Sequence, residues 1–241
     1  MKKALQIGGI VAGVVLVAFG IAAIALGANG GSTVNSNLKQ EYIFGSPDMT
    51  PTAIAPEVKA IQASQQRIAA EQKKAGVPAA QQYTFTAVSA PSCSVANEAV
   101  DTGSSARCFA QYMRIHALGA SSGLTYSQMG RYAAKPDTPA KLTDFNGGTN
   151  DPKYAQVDSQ TQQPASNGAR NTWVTETALT SALNLAYTAG QISLFGIVVG
   201  IALLLSGIGF LILALGGAIQ RVPLKKEQPA TEPFVPATGT R

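Results

Sequence analysis

Cys93 and Cys108 are the only two cysteines of this 241-residue chain, and His116 is its only histidine. Two thiols can pair or bind a metal. Metal binding needs further Cys or His ligands at suitable spacing, and His116 is the only other residue of either type. A disulfide closing the loop Ser94–Arg107 is the expectation, and a loop of about 15 residues contributes roughly 3 kcal/mol in the chain-entropy model. His116 sits on a candidate helix, Ser105–Leu118, whose apolar face carries Phe109 and Met113. Nucleophile–base chemistry needs a partner within reach, and spacing alone nominates none, so His116 reads as a structural residue. No Ser/His/Asp set, metal cluster, phosphate loop or paired-carboxylate motif stands out. No catalytic, metal-ligating or cofactor-binding residue is assigned, and no cofactor is expected. Phe109, Met113, His116 and Trp173 remain candidate partner or pocket contacts.

Those residues lie between two apolar blocks. Residues 5–27 run 23 positions without a charge, and Gln191–Ile219 runs 29. About 20 apolar residues cross a bilayer, so transmembrane helices are expected over 5–27 and 190–219. A cleaved signal peptide is the rival for the first block, with Ala25-Leu26-Gly27 as its cleavage site, but signal cores span only about 7–15 residues. The net charge of +5 does not suggest nucleic acid. Residues 28–189 carry 12 Lys/Arg against 11 Asp/Glu, and the excess sits at the ends, Lys2 and Lys3, then Arg221, Lys225 and Lys226. By the positive-inside rule both termini (1–4 and 220–241) are expected in the cytoplasm, at a bacterial plasma membrane, with the large loop outside. There a disulfide persists. Gly9/Gly13 and Gly196/Gly200 have the spacing that lets helix backbones approach. In an antiparallel pair, Gly209 and Gly217 are expected opposite Gly9/Gly13, and Gly196/Gly200 opposite Ala18/Ala22 or another subunit.

Between the spans the pattern predicts a small helical domain, residues 28–189. Ala28–Gly31 reads as a hinge-like break, and Ser32–Tyr42 as a short outer helix or a continuation of the span. Thr50–Gly76 is a helix with Ile54, Val58, Ile61, Gln65, Ile68 and Gln72 on one stripe, Thr50 as cap and Pro51 at its first position. Pro56 is expected to kink it or mark its true start. Tyr83–Val88 alternates but has no partner strand, so an extended connector is expected. Thr125–Tyr132 reads as a short helix. Residues 135–170, with four prolines and no hydrophobic period, are expected to be irregular and mobile. A stalk helix, 171–189, then starts at Asn171 or Thr172 and presents Ala178, Leu179, Ala182, Leu183 and Ala186. Trp173 stands about 26 Å from Gly190 along a continuous helix, too far for a membrane-interface anchor, so it reads as a core residue in preference to a partner contact. The tail 220–241 is expected to be disordered.

Gly45-Ser-Pro-Asp-Met-Thr-Pro51, Arg107-Cys-Phe-Ala-Gln-Tyr-Met-Arg-Ile-His-Ala-Leu118 and Thr125-Tyr-Ser-Gln-Met-Gly-Arg131 resemble a group of actinobacterial two-span membrane proteins of no assigned activity. Its members often carry the label aromatic ring-opening dioxygenase of the LigA type. A non-haem iron site of that kind uses two His and a carboxylate, and this chain has one His. The reading is therefore an all-α membrane protein of the envelope, without enzymatic activity. Its partners would be the bilayer and either a second copy or a larger membrane complex. A ligand-sensing ectodomain is the alternative.

Overall fold

The computed structural model describes residues 2–216. The fold is mostly helical, with α1 (Lys2–Gln40), α2 (Pro51–Lys74), α3 (Gly103–Ala120) and α4 (Gly168–Leu215). A two-residue antiparallel pair, β1 (Tyr132–Ala133) and β2 (Gly148–Thr149), lies between α3 and α4. The chain forms two compact units, one of Met1–Ile24 with Val198–Arg241 and one of Ala25–Ile197.

In the first unit, α1 and α4 meet through small residues. A Cβ on Gly13 would lie 2.9 Å from the Gly207 carbonyl oxygen, and one on Gly20 would lie 2.8 Å from that of Gly200. Gln6 donates its side-chain amide to the Ala214 carbonyl at 3.3 Å. Gly13, Gly20, Gly200, Gly207 and Ala214 are buried, and the spacing on each helix is seven residues. A seven-residue repeat keeps one stripe of an α-helix facing its partner, and glycine there lets the backbones touch. The seam therefore differs from the Gly-xxx-Gly expectation. Gly9 and Gly196 are only half-buried, and Gly209 faces open space. Gly200 meets Gly20 and Ile24, while Ala18 and Ala22 are exposed. Gly217 and the tail 220–241 lie outside the described residues.

The second unit contains the small domain. Here α1 continues through Ala28–Gly31 without a hinge, and Gly27 packs on Ser193 and Ile197. The helix runs on because nothing in Ala28–Gly31 clashes with helical backbone. Glycine costs only about 1 kcal/mol per position, and contacts on Ser193 offset this.

The α2 stripe is buried as the periodicity predicts: Ile54, Val58, Ile61, Gln65, Ile68 and Gln72. Thr50 Oγ1 accepts from the Ala53 N–H, and Pro56 lies inside the helix without ending it. At the far end, Gly76 (φ +71°) closes the helix, its N–H on Lys73 O and the Val77 N–H on Gln72 O. This is the left-handed cap that glycine favours. The two buried glutamines are paired. Gln65 Nε2 donates to Gly123 O at 3.1 Å, and Gln72 Oε1 accepts from the Tyr83 N–H at 2.9 Å. They satisfy the turn after α3 and the start of the 83–90 connector, which forms no strand.

Helix α3 starts at Thr102, whose side chain forms a capping box with Ser105. Its end is tied to α4. Trp173 Nε1 donates to Leu124 O at 2.9 Å and Ser121 Oγ at 3.1 Å, and the Arg114 guanidinium lies 5.3 Å from the indole ring centre. Trp173→Phe keeps an aromatic ring but removes both indole N–H bonds and leaves Leu124 O only the Ser121 hydroxyl as donor, so a loss of about 1 kcal/mol is expected in thermal unfolding followed by circular dichroism. An unchanged melting curve would show the bond to be dispensable. The cap of α4 is Asn167, which accepts from the Ala169 N–H at 3.1 Å, rather than Asn171 or Thr172. The inward face is Trp173, Glu176, Leu179, Leu183 and Ala186, with Ala178 and Ala182 exposed.

Residues 135–170 are irregular but hydrogen-bonded. Asp144 accepts from the N–H groups of Gly130, Asn146 and Gly148, the last two at 2.7 Å. Bridges also join Ala134 to Ala155 and Val157 to Pro164. The segment lacks a hydrophobic period because backbone pairing and one carboxylate, rather than a buried stripe, hold it together. Thr125–Tyr132 forms only a 3-10 turn over Tyr126–Gln128, with Met129 buried beyond it.

Candidate functional site

Cys93 and Cys108 are bonded, with Cα atoms 6.1 Å apart. The bond ties the loop before α3 to the helix's second turn. Tyr112, one turn further on, is fully buried and donates its hydroxyl to Cys93 O at 2.7 Å. Burial pushes its phenol pKa up, which keeps the donor protonated.

On another part of α3 the structure brings together three groups far apart in sequence, Asp48, Glu57 and His116. One ligand atom from each lies within 4.8 Å of the others. Each is placed by a different element. Asp48 stands in the turn before α2, which is paired through Gly45 N–H to Glu98 O and Val95 N–H to Met49 O. Glu57 is on the second turn of α2. His116 is on α3, and Gly119, three residues on, leaves room for the Glu57 carboxylate. A Cβ at 119 would collide with Glu57 Oε1 and lie 3.1 Å from its Cδ.

The two sides of the imidazole differ. Nδ1 and Glu57 Oε2 are hydrogen-bonded at 3.1 Å. Nε2 approaches Asp48 Oδ2 at 3.4 Å without forming a hydrogen bond. The other Asp48 oxygen accepts the Ser46 hydroxyl. That bond, aided by the charge of His116 and opposed by slight burial, holds the Asp48 carboxyl below its usual range. All three residues are half-buried, so solvent and ions reach them. His116 also lines a half-open cleft of about 500 Å³ with Met113, Asn171, Thr175 and the buried Glu176.

The other sequence candidates fall elsewhere. Phe109 and Trp173 are core residues, 7% and 4% exposed, as the distance of Trp173 from the span suggests for that residue. Met113 borders the cleft with His116. Asp48 and Glu57 were missed because sequence separation carries no sign of their meeting. Only Gly119, a small residue one turn after the histidine, hints that something lies across α3 there. A second half-open cleft, about 450 Å³, is lined by the connector Thr84–Ser92 and by Gln111, Arg114 and Leu118 of α3.

No family model, curated protein or solved structure matches the chain.

Proposed function

We propose that the chain is a non-enzymatic envelope protein in which two membrane-spanning helices hold a small disulfide-stapled domain outside the cytoplasm. That domain contacts other envelope components, as an accessory subunit of a larger membrane assembly. One observation carries the membrane part. The two helices are long and apolar enough to cross a bilayer, and only 11% and 17% of their most apolar windows are buried. The core helix of a soluble protein hides such a face, whereas here Phe19, Leu26, Phe195 and Leu205 are more than 60% exposed. Side chains of this kind in this density need lipid or protein around them.

Orientation rests on the basic residues at both ends and on the Cys93–Cys108 bond, which suits an oxidising compartment. The likeness to actinobacterial two-span proteins supports the same layout, and the bacterial plasma membrane is the location proposed. Epitope tags at either terminus are expected to resist protease added to intact cells, and cleavage of either tag would overturn the topology. Capture through a C-terminal tag in mild detergent is expected to recover a stoichiometric membrane partner or a second copy of the chain. Recovery of a lone monomer would end the subunit proposal. A second reading, a ligand-binding ectodomain, draws on the 450 Å³ cleft beside α3, a volume within the range of small-molecule sites.

A further inference from the structure

We propose that Asp48, Glu57 and His116 form a site for a divalent transition-metal ion of the zinc class, with His116 Nε2 and Asp48 Oδ2 as ligands and Glu57 orienting the imidazole. The proposal does not depend on the membrane or subunit reading.

The asymmetry of the imidazole carries it. A carboxylate only accepts hydrogen bonds, so the 3.1 Å bond to Glu57 places a proton on Nδ1. In the neutral ring Nε2 then bears a lone pair, and that lone pair faces a second carboxylate at 3.4 Å. Two acceptors in that position repel unless a cation lies between them. A zinc ion about 2.0–2.2 Å from an imidazole nitrogen and a carboxylate oxygen, in tetrahedral geometry, sets those donors about 3.4 Å apart. The observed separation matches that spacing, whereas it is long for a direct hydrogen bond. Metal-ligating histidines commonly donate their other ring N–H to a carboxylate, which fixes tautomer and orientation, and Glu57 stands in that place.

The donor set narrows the ion. An imidazole with carboxylate oxygen suits zinc and its neighbours, while calcium and magnesium favour oxygen alone. Two carboxylates balance the charge of a divalent cation, and half-exposure of all three residues leaves the remaining positions to water. The rival occupant is a proton, which would make His116 an imidazolium held between two carboxylates. The bound ion would join the turn before α2 to α3, so its role is to fix the packing of these elements rather than to drive a reaction. The set differs from the two-His iron site of ring-opening dioxygenases.

Zinc binding to the chelator-stripped full chain in mild detergent, measured by titration calorimetry, tests this. One equivalent of zinc is expected, with no heat from magnesium under the same conditions. His116→Gln and Asp48→Asn should each abolish the binding, and Glu57→Gln should weaken it about 10–100-fold. Undiminished binding in His116→Gln or Asp48→Asn, or none in the unaltered chain, overturns the site. Should the variants misfold, the unaltered chain still decides. His116 is the only histidine, so zinc should protect the chain from acylation by diethyl pyrocarbonate at histidine. Equal acylation with and without zinc overturns the proposal.

Discussion

Leucine at Gly20 or Gly200 is expected to break the pairing of α1 with α4. A Cβ at Gly20 would already lie 2.7 Å from the Leu204 nitrogen, and one at Gly200 would lie 2.8 Å from the Gly20 carbonyl oxygen. Both obstacles are helix backbone, which cannot rotate aside as a side chain can. Overpacking of a tight contact costs typically 1–3 kcal/mol and occasionally more, and here the upper end, about 3 kcal/mol, is expected. Unfolding of the full chain in detergent, by heat or by added SDS, reads the loss. Gly209→Leu is the control. It sits in α4, as Gly200 does, with open space around its Cβ position, so its effect should stay within about 0.5 kcal/mol. Equal losses at positions 200 and 209 would show that the added bulk alone, and not the seam, governs the result, since leucine is the better helix former.

Reduction of Cys93–Cys108, or the double change Cys93→Ala with Cys108→Ala, is expected to destabilise the Ala25–Ile197 unit by about 3 kcal/mol. The bond closes a loop of 15 residues, which sets that size in the chain-entropy model. For a unit of this length, 1 kcal/mol moves the melting temperature by about 2–4 °C, so a fall of roughly 6–12 °C should appear in calorimetry. The bond from Tyr112 to Cys93 O survives reduction, because it uses backbone. The loop should therefore loosen without α3 melting first. A melting temperature indifferent to reductant would mean that Tyr112 and the helix cap already hold the segment.

These two expectations differ in how far the sequence foretold them. The disulfide followed from there being two cysteines and an expected location outside the cytoplasm. The glycine seam did not follow. Gly9/Gly13 and Gly196/Gly200 drew attention because four-residue spacing is a known packing motif. The contact instead uses Gly13, Gly20, Gly200 and Gly207, repeated every seven. That repeat is visible in the sequence, but register between two antiparallel helices depends on which faces meet. In α2 the stripe was legible because one continuous helix buries one face, and its end at Gly76 follows from local backbone preference. The inward face of α4 was harder to read. Alanines at 178 and 182 looked apolar enough, yet Trp173 and Glu176 took the inner positions, since the hydrogen bonds of Trp173 to the end of α3 fix the rotation of the helix.

Periodicity and composition by themselves determined the two long apolar helices, the α2 stripe, the capping of α2 and the pairing of the only two cysteines. Each depends on neighbours within a few turns, on a bulk property, or on there being a single choice. The tertiary structure alone decided the helix register, the turn at 144–148 that Asp144 closes, and the meeting of Asp48, Glu57 and His116. Asp48 and Glu57 are nine positions apart, and Glu57 and His116 are 59 apart. Only the packing of α2 on α3, with Gly119 yielding space to a carboxylate, brings the three within reach of one ion. Long-range geometry of that kind is set by side-chain volumes across an interface, and no local pattern encodes it.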